Sequence, residues 1–195
     1  MLRIIGGSLR GRPLDFPPSS ITRPTSDRGR EAVFNILEHR FRRQDGISFL
    51  KDAVVLDLFA GSGAFGLECL SRGSSFCLFV ENNPEALSVL NANRKSLNFL
   101  EKSTILNGDA LKPFDLPSSF KEKMFDLIFL DPPYTKGYVL KALMVGFPKK
   151  YVSSKTLIIA ELDVTEELDE IQEYFTVLEE RLYGRAKFLF GHLKP

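Results

Sequence analysis

The tetrapeptide Asp131-Pro132-Pro133-Tyr134 follows an apolar run at residues 125–130, and its groups suit chemistry on an amino nitrogen. The exocyclic amine of a nucleic-acid base is a poor nucleophile because its lone pair is delocalised into the ring. The Asp131 carboxylate and the Pro132 carbonyl can accept hydrogen bonds from both N–H groups, which aims the lone pair at a methyl donor. Tyr134 offers a ring on which an extruded base can stack. On a backbone that two prolines make rigid, the motif predicts methyl transfer to an amino group.

A glycine-rich segment, residues 57–63, follows the first apolar strand and predicts a ligand-binding loop. Gly61 and Gly63 allow a tight turn at a helix start, where an anionic group is favoured. Continued to Gly66, the segment also satisfies the Gly-x-Gly-x-x-Gly dinucleotide pattern, and Glu81 occupies the position of a ribose-binding acid in NAD enzymes. Asp57, however, lies before the glycine turn, which in dinucleotide folds follows the strand directly. This spacing favours the cofactor loop of a methyltransferase.

Acidic residues come at the ends of four consecutive predicted strands, namely Asp57, Glu81, Asp109 and Asp131. Ligands of open α/β sheets bind beyond the carboxyl ends of the strands, so these positions predict a binding edge. A carboxylate at Glu81 can accept both hydroxyls of an adenosine ribose. Asp109 is placed to accept from the adenine amino group, an ordinary turn acid being the alternative. The predicted cofactor-binding residues are Asp57, Phe59, Ala60, Gly61, Ser62, Gly63, Glu81, Asn82, Asp109 and Ala110.

The elements that must position these residues alternate between strand and helix from about residue 50. Strands are predicted at 53–58, 76–81, 103–106, 125–130 and 156–162, and helices near 64–72, 84–98, 137–147 and 165–173. Two further strands, at 175–182 and 186–193, are joined by a link too short for a parallel crossover. The pattern predicts an α/β fold with a Rossmann-like, seven-stranded, mostly parallel sheet, helices on both faces and an antiparallel C-terminal hairpin.

The N-terminal part is predicted to form a β-hairpin and a helix. Strands at 2–5 and 9–14 flank Gly6-Gly7, and Thr25 or Ser26 is expected to cap the helix. Its apolar positions at helical spacing are Ala32, Val33, Ile36, Leu37 and Phe41, which leaves Arg28, Arg30, Arg42 and Arg43 on its other surfaces. We therefore expect an N-terminal segment, residues 1–45, packed on a catalytic domain, residues 46–195.

Charge is divided unevenly along the chain. The net charge is only +1. Residues 1–43 nevertheless hold nine arginines and four acidic residues, so this segment is positive and the remainder is negative. Arginine suits bidentate contact with phosphate, although a charge run is also typical of a solvated face. The segment is thus a candidate nucleic-acid surface.

Several classes of protein are not favoured by the sequence. Cys69 and Cys77 stand alone in apolar stretches without further ligands at metal spacing, which predicts reduced core residues and no metal site. No apolar run approaches the roughly 18 residues of a transmembrane helix, and the first residues do not resemble a signal peptide. A cytoplasmic location is expected, and nothing demands more than a monomer.

The motifs together resemble a known family. Asp131-Pro132-Pro133-Tyr134 after Phe59-x-Gly61-x-Gly63 is the signature of amino-group methyltransferases acting on adenine, cytosine or guanine. The stretch Thr22-Arg23-Pro24-Thr25-Ser26-Asp27-Arg28 is similar to the bacterial family that methylates guanine N2 in small-subunit (16S) ribosomal RNA. Ile4-Ile5-Gly6-Gly7 and Arg10-Gly11-Arg12 also match its pattern, whereas Gly29 and Arg185-Ala186 depart from it.

The resemblance implies S-adenosylmethionine as methyl donor and ribosomal RNA, or the assembling small subunit, as partner. It implies RNA-binding roles for Arg10, Arg12, Arg23, Thr25 and Arg28. DNA amino methyltransferases need a target-recognition domain for which this chain has no room, whereas one fixed RNA site can be recognised by shape. Other functions stay open. The substrate of methyl transfer could be adenine in RNA or DNA, or protein glutamine, and the protein could instead be an NAD-binding protein or an inert RNA-binding module.

Overall fold

The computed structural model describes residues 2–17, 27–117, 120, 124–133, 137–145 and 149–194. The helices are α1 (Asp27–His39), α2 (Ala64–Ser71), α3 (Pro84–Ser96), α4 (Tyr138–Val145) and α5 (Asp169–Tyr174). The strands are β1 (Val54–Leu58), β2 (Phe76–Glu81), β3 (Ser103–Asn107), β4 (Leu127–Leu130), β5 (Leu157–Asp163), β6 (Phe175–Tyr183) and β7 (Ala186–Leu193). Short 3₁₀ helices occur at Gly7–Leu9, Leu100–Lys102 and Lys149–Tyr151.

The strands form one seven-stranded sheet in the order β3-β2-β1-β4-β5-β7-β6. The first five are parallel, and β7 runs antiparallel between β5 and β6. This confirms the predicted fold, including its antiparallel C-terminal pair. The strand order reverses between β1 and β4, where Leu58 pairs with Leu130. Such a reversal opens a crevice beyond the carboxyl ends of the strands, so it is the expected binding position.

Both faces of the sheet are covered because successive strand residues point to opposite sides. On one face Val55, Phe129 and Ile159 pack with apolar residues of α1, α2 and α3. On the other, Leu56 and Ile128 pack with apolar residues of α4 and α5. All five residues of β1 are buried, as a central parallel strand requires. Cys69 and Cys77 are buried free thiols, which confirms that they are core residues.

Element boundaries differ from prediction where side chains satisfy backbone groups. The predicted strand at 125–130 begins only at Leu127, because Phe125 N–H donates to the Tyr151 carbonyl and the Asp126 carboxylate accepts Val54 N–H. The predicted helix at 165–173 begins later, at Asp169. Ahead of it the Asp163 carboxylate accepts both the N–H and the hydroxyl of Thr165, which fixes a turn.

The predicted N-terminal β-hairpin is wrong in its turn and in the extent of its strands. Residues 7–9 form a 3₁₀ turn, and pairing is limited to a bridge between Arg3 and Pro13 with neighbouring hydrogen bonds. Gly6 does not make a two-residue turn because it packs on α2, where its N–H donates to Glu68 and its carbonyl accepts from Ser71. The glycine pair thus permits close approach to a helix.

Helix α1 packs as predicted through Val33, Ile36 and Leu37, but one assignment is wrong. Arg30, expected on a solvated surface, is buried, and its guanidinium donates to the Arg3 carbonyl at 2.8 Å. Its role is therefore to hold the N-terminal segment. Phe41 lies beyond the end of the helix and stacks on Phe190. The predicted capping residues Thr25 and Ser26 lie outside the described residues.

Candidate active site

Four acidic residues lie at one edge of the sheet. Glu81 ends β2, Asp57 is the penultimate residue of β1, Asp131 directly follows β4, and Asp109 lies two residues beyond β3. Register brings these ends together, since Leu58 pairs with both Val80 and Leu130. The structure therefore places Asp57, Glu81 and Asp131 around the point where the strand order reverses, and Asp109 follows β3, two strands away from β1.

The loop between β1 and α2 has an unusual backbone. Phe59, Gly61 and Gly63 have positive φ angles of 60°, 55° and 78°. For phenylalanine this conformation costs on the order of 1 kcal/mol, because the Cβ approaches a carbonyl oxygen. The loop is held by Ala60 N–H donating to the Val80 carbonyl at 3.1 Å and Gly63 N–H donating to the Ala60 carbonyl at 2.7 Å. Strain of this kind is typical of ligand-binding loops.

The two central glycines of this loop serve different purposes. A Cβ added at Gly63 would lie 2.2 Å from the Leu90 Cδ1 atom, so this glycine is required for packing on α3. A Cβ added at Gly61 would meet only the Phe59 carbonyl oxygen, at 4.0 Å. The space beside Gly61 is therefore open to a ligand that approaches the backbone.

Asp57 is a buried carboxylate at the base of this loop. Its Oδ2 accepts the N–H of Gly66 at 3.0 Å, in the first turn of α2, where backbone donors lack helical partners. Burial, with a further contribution from the nearby Glu81 carboxylate, raises the pKa of Asp57 to about 8. A cation bound beside it would favour the ionised form. The position therefore suits a ligand that carries an ammonium group.

Glu81 connects the end of β2 to the glycine loop. Its Oε2 accepts Gly61 N–H at 2.8 Å, and its Oε1 accepts the N–H groups of Asn82 and Asn83, each at 2.8 Å. An ionised carboxylate offers roughly four acceptor positions, so capacity remains for a ligand hydroxyl. Glu81 thereby fixes the glycine loop at the end of β2.

Asp109 has the geometry of a turn acid. Its carboxylate accepts Leu111 N–H at 2.9 Å and lies 3.3 Å from the Lys112 ammonium. The hydrogen bond from Leu111 and the charge of Lys112 hold the pKa of Asp109 below its ordinary value. Ala110 is buried beside it in the apolar cluster under α4. The turn role that the sequence left open is therefore present, and acceptor capacity remains.

The described part of the tetrapeptide lies directly after β4. Asp131 is half-buried, Pro132 is buried and Pro133 is exposed, whereas Tyr134 lies outside the described residues. The strand before them is fixed by stacking of Phe129 on Phe65 of α2, with ring centroids 3.7 Å apart. Phe65 stacks in turn on Phe34 of α1. Aromatic packing thus links the strand that positions Asp131 to both helices.

The predicted RNA-binding arginines are spread over the surface. Arg10, Arg12 and Arg28 are exposed, and Arg23 and Thr25 lie outside the described residues. Arg10 follows Leu9, whose N–H donates to the Ser71 hydroxyl at the C-terminal end of α2. The glycine loop lies at the other end of that helix, about 12 Å away at 1.5 Å per residue. Arg10 is therefore remote from the carboxylates.

Sequence reasoning missed a group on α2 that holds the N-terminal segment, which we call the N-terminal anchor (Glu68, Ser71 and Arg72). The buried Glu68 carboxylate accepts Ile5 N–H at 2.6 Å, Gly6 N–H at 2.7 Å and the Arg72 guanidinium at 2.8 Å. Arg72 also lies over the Phe34 ring. A glutamate among the apolar residues of α2 was the available signal.

A second missed residue is Asn93 on α3, whose side chain is buried. It hydrogen bonds to both the N-terminal segment, at Asp15, and the glycine loop, at Ser62. Asparagine on the buried side of a helix was again a signal, but its partners are 78 and 31 residues away. Such partners cannot be inferred from spacing.

Within the described ranges we found no cluster of metal-ligating side chains and no helix long and apolar enough to cross a membrane. The profile of the family described as Conserved hypothetical protein 95 matches residues 2–192. The chain belongs to this family. Its relatives include Bacillus subtilis YlbH, 34% identical over 94% of both chains. Another is Ribosomal RNA small subunit methyltransferase D of Escherichia coli K12, 30% identical over 96% of this chain and 87% of the relative.

A solved structure agrees with this relationship. The Escherichia coli protein yhhF superposes with a TM-score of 0.74 at 29% identity, covering 99% of this chain and 98% of that chain. The family resemblance that the motifs indicated is thus confirmed, as is the Rossmann-like architecture.

Proposed function

We propose that the protein transfers a methyl group from S-adenosylmethionine to the N2 amino group of a guanine in small-subunit ribosomal RNA. The observation that carries the proposal is the pairing of Leu58 with Leu130, which sets Asp131 beside the glycine loop at the strand-order reversal. A site for a methyl donor and a group that orients an amine are thereby adjacent. The relatives named as small-subunit rRNA methyltransferases support the choice of polymer.

The residues present fit the proposed cofactor. Asp57 and the loop residues Phe59, Ala60, Gly61, Ser62 and Gly63 would hold its amino-acid end, because the buried carboxylate suits an ammonium and the space beside Gly61 is open. Glu81 and Asn82 would bind the ribose, and Asp109 and Ala110 the adenine. When bound, S-adenosylmethionine supplies an electrophilic methyl group on a sulfonium.

The residues after β4 are assigned to the substrate amine. Asp131 and the Pro132 carbonyl accept hydrogen bonds from its two N–H groups, which holds the nitrogen lone pair toward the methyl group. The proton that the methylated nitrogen releases passes to the Asp131 carboxylate or to water. Pro133 keeps the backbone rigid, and Tyr134 stacks on the base. Catalysis is then mostly a matter of position, since orientation alone can contribute several kcal/mol to lowering a barrier.

Residues 1–45 are proposed as the RNA-binding segment on a catalytic domain of residues 46–195. Arg12, Arg23, Thr25 and Arg28 would contact RNA backbone. Arg10 would contact backbone at a distance from the reacting base, because it lies at the far end of α2. An RNA helix that is contacted across successive grooves can span this separation, so one RNA element can contact both regions. Cytoplasmic location and a monomeric state remain predictions.

The proposal is tested by incubating the protein with methyl-labelled S-adenosylmethionine and unmodified small ribosomal subunits. The rRNA is then digested and its nucleosides separated, with naked rRNA as a parallel substrate. We expect the label in N2-methylguanosine. Label in adenosine would indicate the adenine alternative, label in protein the glutamine alternative, and no label in any product would contradict methyl transfer.

A further inference from the structure

The side chain of Asn93 makes three hydrogen bonds that connect two separate regions of the chain. Its Oδ1 accepts Asp15 N–H at 2.9 Å, and its Nδ2 donates to the Asp15 carbonyl at 2.9 Å and to the Ser62 carbonyl at 3.0 Å. The residue is 1% exposed. Water therefore cannot readily replace these partners, and each bond lost would leave a buried polar group unsatisfied.

Only an amide of this size fits the three partners. One partner is a donor and two are acceptors, so the side chain must present one oxygen and two N–H hydrogens. This also fixes which terminal atom is nitrogen, since both carbonyl oxygens face it. Aspartate would place a second oxygen against two carbonyls, and alanine would leave all three groups without their partner.

The two regions joined by Asn93 have different proposed ligands. Ser62 lies between the two glycines of the cofactor loop, whose backbone is strained at Phe59. Asp15 belongs to the proposed RNA-binding segment, and the next residue, Phe16, is 53% exposed. The N-terminal segment therefore meets the glycine loop through one side chain of α3.

We infer that Asn93 is a positioning residue that couples cofactor binding to RNA binding. The inference rests on the proposed function. Binding of the cofactor orders the loop at Ser62, and through the shared amide it also orders the backbone at Asp15. RNA that binds next has less ordering to impose on the N-terminal segment, so its affinity increases. By linkage, RNA increases cofactor affinity by the same factor.

The coupling is measured by titrating fluorescently labelled protein with unmodified small ribosomal subunits, with and without saturating S-adenosylhomocysteine. For the parent protein we expect the cofactor product to tighten subunit binding about five- to tenfold. For Asn93→Asp and Asn93→Ala the ratio should fall to about one, because the amide no longer joins the two backbones. The matched control is Asn91→Asp, which changes an exposed residue of the same helix and should keep the parent ratio.

Loss of thermal stability in the Asn93 variants would be expected from the buried hydrogen bonds alone, so the ratio of affinities is the diagnostic quantity. A parent ratio of about one, or a parent-like ratio in both Asn93 variants, would overturn the inference. In those cases methyl transfer by the parent protein would still support the proposed function. A parent protein that binds neither S-adenosylhomocysteine nor the subunits would overturn both.

Discussion

Two carboxylates in this protein are equally buried but have different surroundings. Glu68 in the N-terminal anchor has two backbone N–H groups and a guanidinium as partners. Asp57 accepts a backbone N–H from Gly66, and its charged neighbour Glu81 has the same sign, so its pKa is raised to about 8. The anchor is electrostatically complete without a ligand. The edge formed by Asp57, Glu81 and the glycine loop, which we call the cofactor edge after its proposed ligand, is not, and this is typical of a binding site.

Backbone geometry shows the same contrast. The loop beside Asp57 holds Phe59 at a positive φ, whereas the anchored segment satisfies its backbone groups through Glu68 and Ser71. Sites often carry strain and unfavourable charge that the rest of the fold compensates. Substitutions in the anchor should therefore reduce stability, whereas some substitutions at the cofactor edge should increase stability and weaken cofactor binding.

The largest effect is expected for Glu68→Ala. Removing one partner of a buried ion pair leaves Arg72 and two backbone N–H groups without their acceptor, at a cost of about 3–5 kcal/mol in the free energy of unfolding. Urea denaturation measures this loss, and hydrogen exchange should show Ile5 and Gly6 N–H unprotected. Glu173→Ala, an exposed change in α5, is the control and should stay within about 0.5 kcal/mol of the parent. Retained protection at Ile5 and Gly6 would contradict the role of the anchor.

The two glycines of the cofactor edge, Gly61 and Gly63, should respond differently to substitution by alanine. Gly63→Ala should cost about 3 kcal/mol of stability, because the new methyl group meets Leu90 and the φ angle is positive. Gly61→Ala should cost only about 1 kcal/mol but weaken S-adenosylhomocysteine binding at least about tenfold, as the methyl group enters the ligand space.

Thermal denaturation and calorimetry separate the two effects. Gly184→Ala is the control for conformational cost alone, since Gly184 also has a positive φ and open surroundings in the turn between β6 and β7. It should lose similar stability to Gly61→Ala and keep parent affinity. Unchanged affinity in Gly61→Ala would remove Gly61 from the proposed site.

Asp57→Asn tests the charge of the cofactor edge through pH. The pKa of Asp57 rises from 3.8 to about 8 on folding, so the fold favours the protonated carboxyl and the parent protein loses stability as pH rises between these values. Asparagine still accepts Gly66 N–H and does not ionise. At pH 8 the variant should be more stable than the parent by several kcal/mol, at most about 5, and this advantage should vanish near pH 4.

Urea midpoints across that pH range measure the difference, and Asp115→Asn, in an exposed position, is the control for the change of residue type. Asp57→Asn should also bind S-adenosylhomocysteine more weakly, because the ammonium loses its counter-charge. An advantage that is constant from pH 4 to pH 8 would contradict the protonated state of Asp57 in the parent protein.

The smallest expected effect concerns the exposed arginines. Replacing Arg10 and Arg12 with alanine should reduce the slope of log affinity for RNA against log salt by about 1–2, because fewer phosphates are neutralised. Cofactor affinity should be unchanged. Replacing Arg42 and Arg43, which are exposed in the same segment, is the matched control and should leave the salt slope as in the parent. Equal slopes for the Arg10/Arg12 variant and the parent would remove these two residues from the RNA surface.

The sheet could be predicted from the sequence because each buried strand is a run of apolar residues. The bounds of β2 and β7 agree with prediction, and β1 and β3 differ by one residue at one end. The carboxylates could be located because parallel strands end at one edge, as Glu81 and Asp131 illustrate. Both inferences use local pattern and a general rule of α/β folds.

The N-terminal segment could not be predicted in the same way. Its backbone is held by Glu68 and Asn93, which lie more than 60 residues away in sequence. Hydrogen bonds between residues so far apart cannot be inferred from the spacing of residue types. The apolar periodicity of the helix predicts Arg30 on another surface than the apolar one, yet it is buried against the Arg3 carbonyl. In this segment, hydrogen bonds between distant residues determine the backbone path and the burial of Arg30, and periodicity and residue type do not.

Single-turnover methyl transfer with Asp131→Asn tests whether Asp131 acts on the amine and not on the cofactor. S-adenosylhomocysteine affinity should stay within about twofold of the parent while the transfer rate falls by about 10²–10⁴. Asp126→Asn, at the other end of β4, is the control and should transfer at the parent rate, since asparagine can still accept Val54 N–H. A parent-like transfer rate in Asp131→Asn, or a loss of cofactor affinity as large as the loss of transfer rate, would contradict this role of Asp131.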